Sequence, residues 1–173
     1  MDLLTNTIYV VDASYTITKI DGQSNRVLDT IQIKGHPFGE NKNVQQTAIA
    51  SDLSNDRAYV QDSDANKVYV LSKKNCGVLN ENVSSISLGG ISSSSRGSIA
   101  VNAKTGLVYV SNSDINSPIS VINMSKFNTV ISNSQIPFSR QSIAVNPNTN
   151  TIHVVDSFGR LATVNGTNYK IKT

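Results

Sequence analysis

Apolar positions along this chain fall in short runs rich in Val, Ile and Tyr, separated by stretches of Ser, Asn, Thr, Asp and Gly. β-branched and aromatic residues in runs this short favour pleated strands over helices. The intervening residues make turns. One run recurs four times: Tyr9-Val10-Val11-Asp12-Ala13, Tyr59-Val60-Gln61-Asp62-Ser63, Tyr109-Val110-Ser111-Asn112-Ser113 and His153-Val154-Val155-Asp156-Ser157. The anchors are spaced by 50, 50 and 44 residues. A second run precedes three of them, starting at Ala48-Ile49-Ala50, Ser98-Ile99-Ala100 and Ser142-Ile143-Ala144. A third follows each anchor, at Ile17–Asp21, Val68–Ser72, Ile119–Asn123 and Leu161–Asn165. A fourth closes the units at Val27–Ile33, Val83–Leu88, Thr129–Ile136 and, weakly, Tyr169–Lys172.

Each unit therefore predicts four short antiparallel strands. Asn146-Pro147-Asn148-Thr149-Asn150 and Asp21-Gly22-Gln23-Ser24-Asn25 are turns: Pro fixes φ, Asn side chains bond the local backbone and Gly22 accepts positive φ. A sheet such as that containing Thr7-Ile8-Tyr9-Val10-Val11 carries apolar groups on both faces, so it is stable only when neighbours cover both. Four-stranded units of 40 to 50 residues stacked radially make an all-β fold, a β-propeller, with the Ile-Ala-Val strand at the axis. Ala50, Ala100 and Ala144 suit that crowded position, and the last strand is expected outermost and more polar. The units span residues 1–39, 46–90, 96–138 and 140–173 of a single propeller domain or propeller fragment. The first lacks its inner strand, leaving at most fifteen strands in a partial or open ring.

The pattern resembles the YVTN β-propeller repeat family. The matching residues are Ile143 through Asp156, Asn6 through Asp12, and Lys19-Ile20-Asp21 leading to Thr30 through Gly39. The second unit departs most, with Leu71-Ser72-Lys73-Lys74 in place of a Val-Ile-Asp-like ending, and the absence of Trp argues against a WD40 relative. The resemblance implies a ring of usually seven blades, of which about four are here. An incomplete stack leaves bare faces, so self-association or a partner chain is expected to complete the ring.

The chain has 173 residues, 38% hydrophobic, enough for a core, and a net charge of only +3 that is scattered rather than striped. Lys73-Lys74 is the densest basic spot, and no nucleic-acid partner is expected. No run of about 18 apolar residues occurs, so no membrane span is expected, and Met1 to Val11 has no signal-peptide pattern. Cys76 is alone and reads as a loop or half-buried thiol. Asn82-Val83-Ser84, Asn123-Met124-Ser125 and Asn165-Gly166-Thr167 fit the N-glycosylation triplet, which arises by chance in so Asn-, Ser- and Thr-rich a chain.

Strands of a blade alternate in direction, so the loops after each second strand share one end with the loops that join blades. That end gathers Asp12, Asp62, Asp64, Asn112, Asp114 and Asp156 with His36, Glu40, Arg96 and Arg140. The candidate ligand-binding set at the channel mouth is Arg96, Arg140, His36, Asp62, Asp64, Asp114 and Asp156, with the two Arg facing an anionic or polar group of a protein or glycan. The competing reading makes the Asp and Asn residues Asx-turns. No catalytic residue, cofactor or metal is expected. Asp62 and Asp64 lack the Gly and Glu of an EF-hand, His153 is a packed strand residue at a Tyr position, and the multiple-His copper cluster of nitrous-oxide-reducing propellers is absent. No Gly-x-Ser-x-Gly elbow occurs, Ser92 to Ser95 form a low-complexity loop, and Gly89-Gly90 opens no helix. The function expected is a non-catalytic binding or scaffold module of a cell-surface or secreted protein. The alternative is a fragment of a propeller enzyme, like the lactone hydrolases or streptogramin lyase of similar folds, with His36, Glu40 and Arg140 as its only candidates.

Overall fold

The computed structural model describes residues 6–12, 16–33, 48–52, 54–55, 57–63, 65–72, 84–88, 97–112, 119–125 and 142–172. Among the described residues there is no helix, and thirteen strands form four antiparallel sheets. The first sheet holds β1 (Thr7–Val11), β2 (Thr16–Asp21) and β3 (Val27–Gln32) in that order. The second holds β4 (Ala48–Asp52), β5 (Arg57–Asp62), β6 (Lys67–Ser72) and β7 (Ser84–Ser87). The third holds β8 (Gly97–Asn102), β9 (Leu107–Asn112) and β10 (Ser120–Asn123). The fourth holds β11 (Ser142–Asn146), β12 (Thr151–Val155) and β13 (Leu161–Asn165), and Ile171 adds a single bridge to Val164. The fourth run expected at Thr129–Ile136 lies outside the described residues.

The sheets stack face to face in chain order. Side chains on β5 alternate, so Ala58 and Val60 join Leu71 in a core with Ile17, Ile31 and Ile33 of the first sheet. Tyr59 points the other way, into a core that Val68, Val70 and Ile86 share with Ile99, Val108, Val110 and Ile122 of the third sheet. Tyr109 repeats the move one sheet later, with Val121 and Ile119 against Ile143, Ile152, Val154 and Val164. Every interior second strand is thus buried on both faces, which is why its residues read as an unbroken apolar run. β4 packs beside β8 and β8 beside β11, placing the Ile-Ala strands nearest the axis. Ala50 and Ala100 pack there against the neighbouring cores. The outer strands β3 and β7 are more exposed, and Ile31 and Ile86 are their buried residues. The described sheets form an arc of β-propeller type, and the first has no described strand inside β1.

One contact repeats with a revealing exchange of residues. The N–H after each third strand donates to the carbonyl just before the second: Gly22 to Asn6 at 2.6 Å, Met124 to Gly106 at 3.0 Å and Gly166 to Asn150 at 2.9 Å. The acceptor residue is left-handed in all three, with φ of 48°, 66° and 48°. Two side chains do not fit. A Cβ on Gly22 would lie 2.6 Å from Asn6 Oδ1, and one on Gly166 2.8 Å from the Asn150 carbonyl. Where the turn residue is Asn, its partner is Gly; where the turn residue is Gly, the partner is Met.

Candidate functional site

The loop end of the arc is built on the ends of β1, β5, β9 and β12. An Asp closes β5 and directly follows β1 and β12, and each carboxylate is spent on its own turn. Asp12 Oδ1 accepts from Thr16 N at 2.9 Å, and Asp62 Oδ1 accepts from Ala65 N at 2.8 Å. Asp156 Oδ1 accepts from Phe158 N at 2.8 Å and Arg160 N at 2.9 Å, while Oδ2 takes Arg160 Nε at 2.6 Å. Burial works against the Asp156 charge, but the Arg160 and Phe158 bonds and the Arg160 cation outweigh it, holding the carboxyl below its ordinary pKa. These are Asx-turns that set loop geometry.

Between the second and third sheets this end carries buried polar groups. Gln61, Asp62 and Ser63 are all buried at the close of β5. Gln61 Nε2 donates to Ser111 O at 3.3 Å across the sheet interface, and Ser111 Oγ sits 3.2 Å from Ser98 N. The amide lies over Gly97, where any Cβ would collide with Gln61 Nε2. Asp62 faces the first sheet. Burial, then the charge and hydrogen bond of that carboxylate, push the Tyr69 hydroxyl up.

Of the seven residues expected at the mouth, Asp62 and Asp156 are described, on separate sheets and each in its own turn. Arg96, Arg140, His36, Asp64 and Asp114 lie outside the described residues, as do Glu40 and Cys76. His153 is a strand residue, its Nδ1 3.4 Å from Thr163 Oγ1. Among the described residues no three His, Cys, Asp or Glu side chains converge as metal ligands, and no helix is long and apolar enough to cross a membrane. At the opposite end, Asn123 Oδ1 accepts from Ser125 N and Oγ, and Asn165 Oδ1 accepts from Thr167 N.

The loop end also presents a pair that the sequence reading passed over. Phe158, 80% exposed, sits at the tip of the β12–β13 hairpin, and the Arg160 guanidinium lies 5.6 Å from its ring centroid. The signal was available: Asp156-Ser157-Phe158-Gly159-Arg160 puts an aromatic where the corresponding turn of the second sheet has Ala65.

No protein-family model matches this chain, and no curated protein matches it. Among solved structures it is similar to Kuenenia stuttgartiensis hydrazine synthase, with a TM-score of 0.69 at 14% identity over 95% of this chain. The chain spans about half the length of that relative, covering 47% of it. At this identity the likeness supports the propeller fold and carries nothing about activity.

Proposed function

We propose that this chain is a non-catalytic binding module of the YVTN-type propeller class, from a cell-surface or secreted protein, that holds a protein or glycan at its loop end. The observation that carries the reading is the Phe158–Arg160 pair. An exposed aromatic with a cation stacked on it is fixed by three hydrogen bonds to one buried carboxylate. A rigid aromatic and an Arg are the side chains that dominate binding surfaces, and holding them in place in advance lowers the ordering cost of association. The Asp12 and Asp62 turns and the Gln61–Ser111 bridge brace the neighbouring loops in the same way. Arg96 and Arg140 remain part of the proposal as the groups that would meet an anionic or polar portion of the ligand.

The test is a binding screen against immobilised sulfated and sialylated glycans and acidic peptides. Phe158→Ala, with an unchanged melting temperature, and Arg160→Ala, with a loss of stability from the unpaired Asp156 carboxylate, are each expected to weaken any hit at least tenfold. A hit that neither substitution affects, or no hit at micromolar protein, overturns the reading.

A further inference from the structure

Two turns at the end opposite the loop face are built alike, residue for residue. Asp21-Gly22-Gln23-Ser24-Asn25-Arg26 starts at the last residue of β2, and Asn165-Gly166-Thr167-Asn168-Tyr169-Lys170 at the last residue of β13. The first N–H of each turn donates to the sixth carbonyl, Asp21 to Arg26 at 2.8 Å and Asn165 to Lys170 at 2.9 Å. The fifth N–H donates back to the first carbonyl, from Asn25 to Asp21 and from Tyr169 to Asn165, at 2.8 Å in both. Asn25 and Tyr169 are left-handed, with φ of 56° and 58°. The first side chain caps each turn. Asp21 Oδ1 accepts from Gln23 N at 3.1 Å and Ser24 N at 2.6 Å, and Asn165 Oδ1 accepts from Thr167 N at 2.8 Å and Asn168 N at 3.3 Å. The second residue must be Gly in both, because a Cβ there would collide with Asn6 or Asn150. In the fourth sheet that requirement creates the one Asn-Gly dipeptide of the sequence.

Asn is a thermolabile residue, and Gly after it puts no side chain in the way of the attacking backbone nitrogen. We propose that Asn165 is a site of spontaneous deamidation, gated by the Gly166–Asn150 hydrogen bond, whose aspartyl product the fold accepts. The Gly166 nitrogen loses its proton to water and attacks Asn165 Cγ. The bond from Cγ to the side-chain nitrogen breaks, and that nitrogen takes protons from water and leaves as ammonia. Water then opens the five-membered imide at either carbonyl, giving Asp or isoAsp. The closed turn blocks the attack twice. Gly166 N–H is donated to Asn150 O at 2.9 Å, and the Asn165 carboxamide is held toward Thr167 N and Asn168 N. Reaction therefore waits for the turn to open. Its outer limb is lightly held: Ile171 makes a single bridge to Val164 and Lys172 N reaches Thr163 O at 2.7 Å, whereas β3 pairs with β2 from Thr16 to Ile20. An Asp at position 165 reproduces the cap that Asp21 already makes in the same turn. The isoaspartyl form adds a backbone methylene before Gly166 and draws its N–H off Asn150. Asp21-Gly22 resists the same cyclisation, because Ser24 and Gln23 hold Asp21 ionised and a carboxylate is a poor electrophile.

Peptide mapping by mass spectrometry, with isoaspartate read by enzymatic methylation, tests this on the whole chain held at mildly alkaline pH, folded and in urea. In urea, Asn165 is expected to react ahead of every other Asn. In the folded protein its rate should fall about tenfold or more, because only the opened turn reacts. Asn123, in the equivalent place before Met124, should stay slow in both. Tyr169→Ala removes the packing of the turn against the fourth sheet's core and is expected to raise the folded-state rate about fivefold. Asn165→Asp should melt as the wild type does, and the isoaspartyl fraction separated from aged protein should melt lower. Asn165 left unreacted in urea overturns the site. A folded-state rate equal to that in urea, or one unmoved by Tyr169→Ala, overturns the gate. A lowered melting temperature in Asn165→Asp overturns the accommodation of the product.

Discussion

The two ends of the arc treat the repeat differently. The first sheet keeps Ile8, Val10 and Ile20 on its outer side, unchanged in character from the buried residues they match. The fourth sheet alters its outer side. His153 stands where the interior sheets have Tyr59 and Tyr109, and Thr163 stands where they have Val70 and Val121. Lys172 reaches across that face to Thr151 Oγ1 at 2.9 Å, and Thr163 Oγ1 meets His153 Nδ1. A polar outer face is what solenoid ends carry where they meet water, whereas an aliphatic one is what they carry where they meet a neighbour. Leu161, paired with Val155, leaves an apolar edge on this face.

The contrast breaks first at the anchor position. Tyr109 is fully buried and His153 half-buried. Removing a buried aromatic costs the lost transfer energy plus a cavity, so Tyr109→Ala should destabilise by about 3–5 kcal/mol. His153→Ala should cost below about 1 kcal/mol. Urea midpoints of the two variants decide it, and equal losses would mean that the fourth sheet's outer face is covered after all. Next comes the aliphatic row. Val110→Thr places a hydroxyl in a sealed interface and should cost about 1–3 kcal/mol. Val10→Thr should stay within roughly 0.5 kcal/mol of wild type.

Most of the architecture was readable from the chain because the repeat is strict where two sheets meet. Tyr59 and Tyr109, with Val60 and Val110 beside them, are buried on opposite faces, and periodicity alone assigns them. The ends were not readable, because Val10 and Val110 are the same residue in the same register and only the presence of a neighbour separates their exposure. The Asn6–Gly22 and Asn150–Gly166 pairs escaped for another reason: the clash that selects Gly lies between residues 16 apart, joined only once the hairpins form. At the loop end, the Asp residues were readable as a set and ambiguous as to role. An Asx-turn and a ligand-facing carboxylate use the same residue at the same place, and only the partners, Thr16 N, Ala65 N and Phe158 N, separate them.

Alkaline pH sharpens the comparison inside the third interface. Burial, then the nearby Tyr169, push the Tyr109 hydroxyl up to about 12, with Thr105 acting the other way. A pKa raised in the folded state means that the neutral hydroxyl is favoured by folding. Its contribution is whole below the unfolded value near 10 and is lost as pH climbs from there to about 12. Tyr109→Phe should therefore flatten that portion of the alkaline stability loss, read as the melting temperature between pH 9 and pH 12. An unchanged alkaline slope would mean that the hydroxyl is not held neutral.

The smallest effect contrasts one carboxylate from each end. Asp21 is held below its ordinary pKa by Ser24, through its backbone and then its hydroxyl, against a small burial penalty and with help from Gln23. Asp156 is lowered although burial opposes it, because Arg160 and Phe158 together outweigh that opposition. A depressed folded pKa stabilises above the unfolded carboxyl value, and that contribution disappears as pH falls through the folded one. Asp21→Asn and Asp156→Asn should each lower stability slightly at pH 7 and lose less on acidification than wild type, with the two effects additive across the arc. Only Asp156→Asn should also loosen the Phe158 tip, since Asn keeps an acceptor for the Phe158 N–H but cannot pair with the Arg160 cation. Amide exchange at Phe158 and Gly159 reads that out. Faster exchange there in Asp156→Asn, with none in Asp21→Asn, is the expected result, because the first carboxylate orders a presented loop and the second only closes a hairpin. Equal exchange in the two variants would mean that Asp156 is an ordinary turn residue and that the tip owes its order to something else.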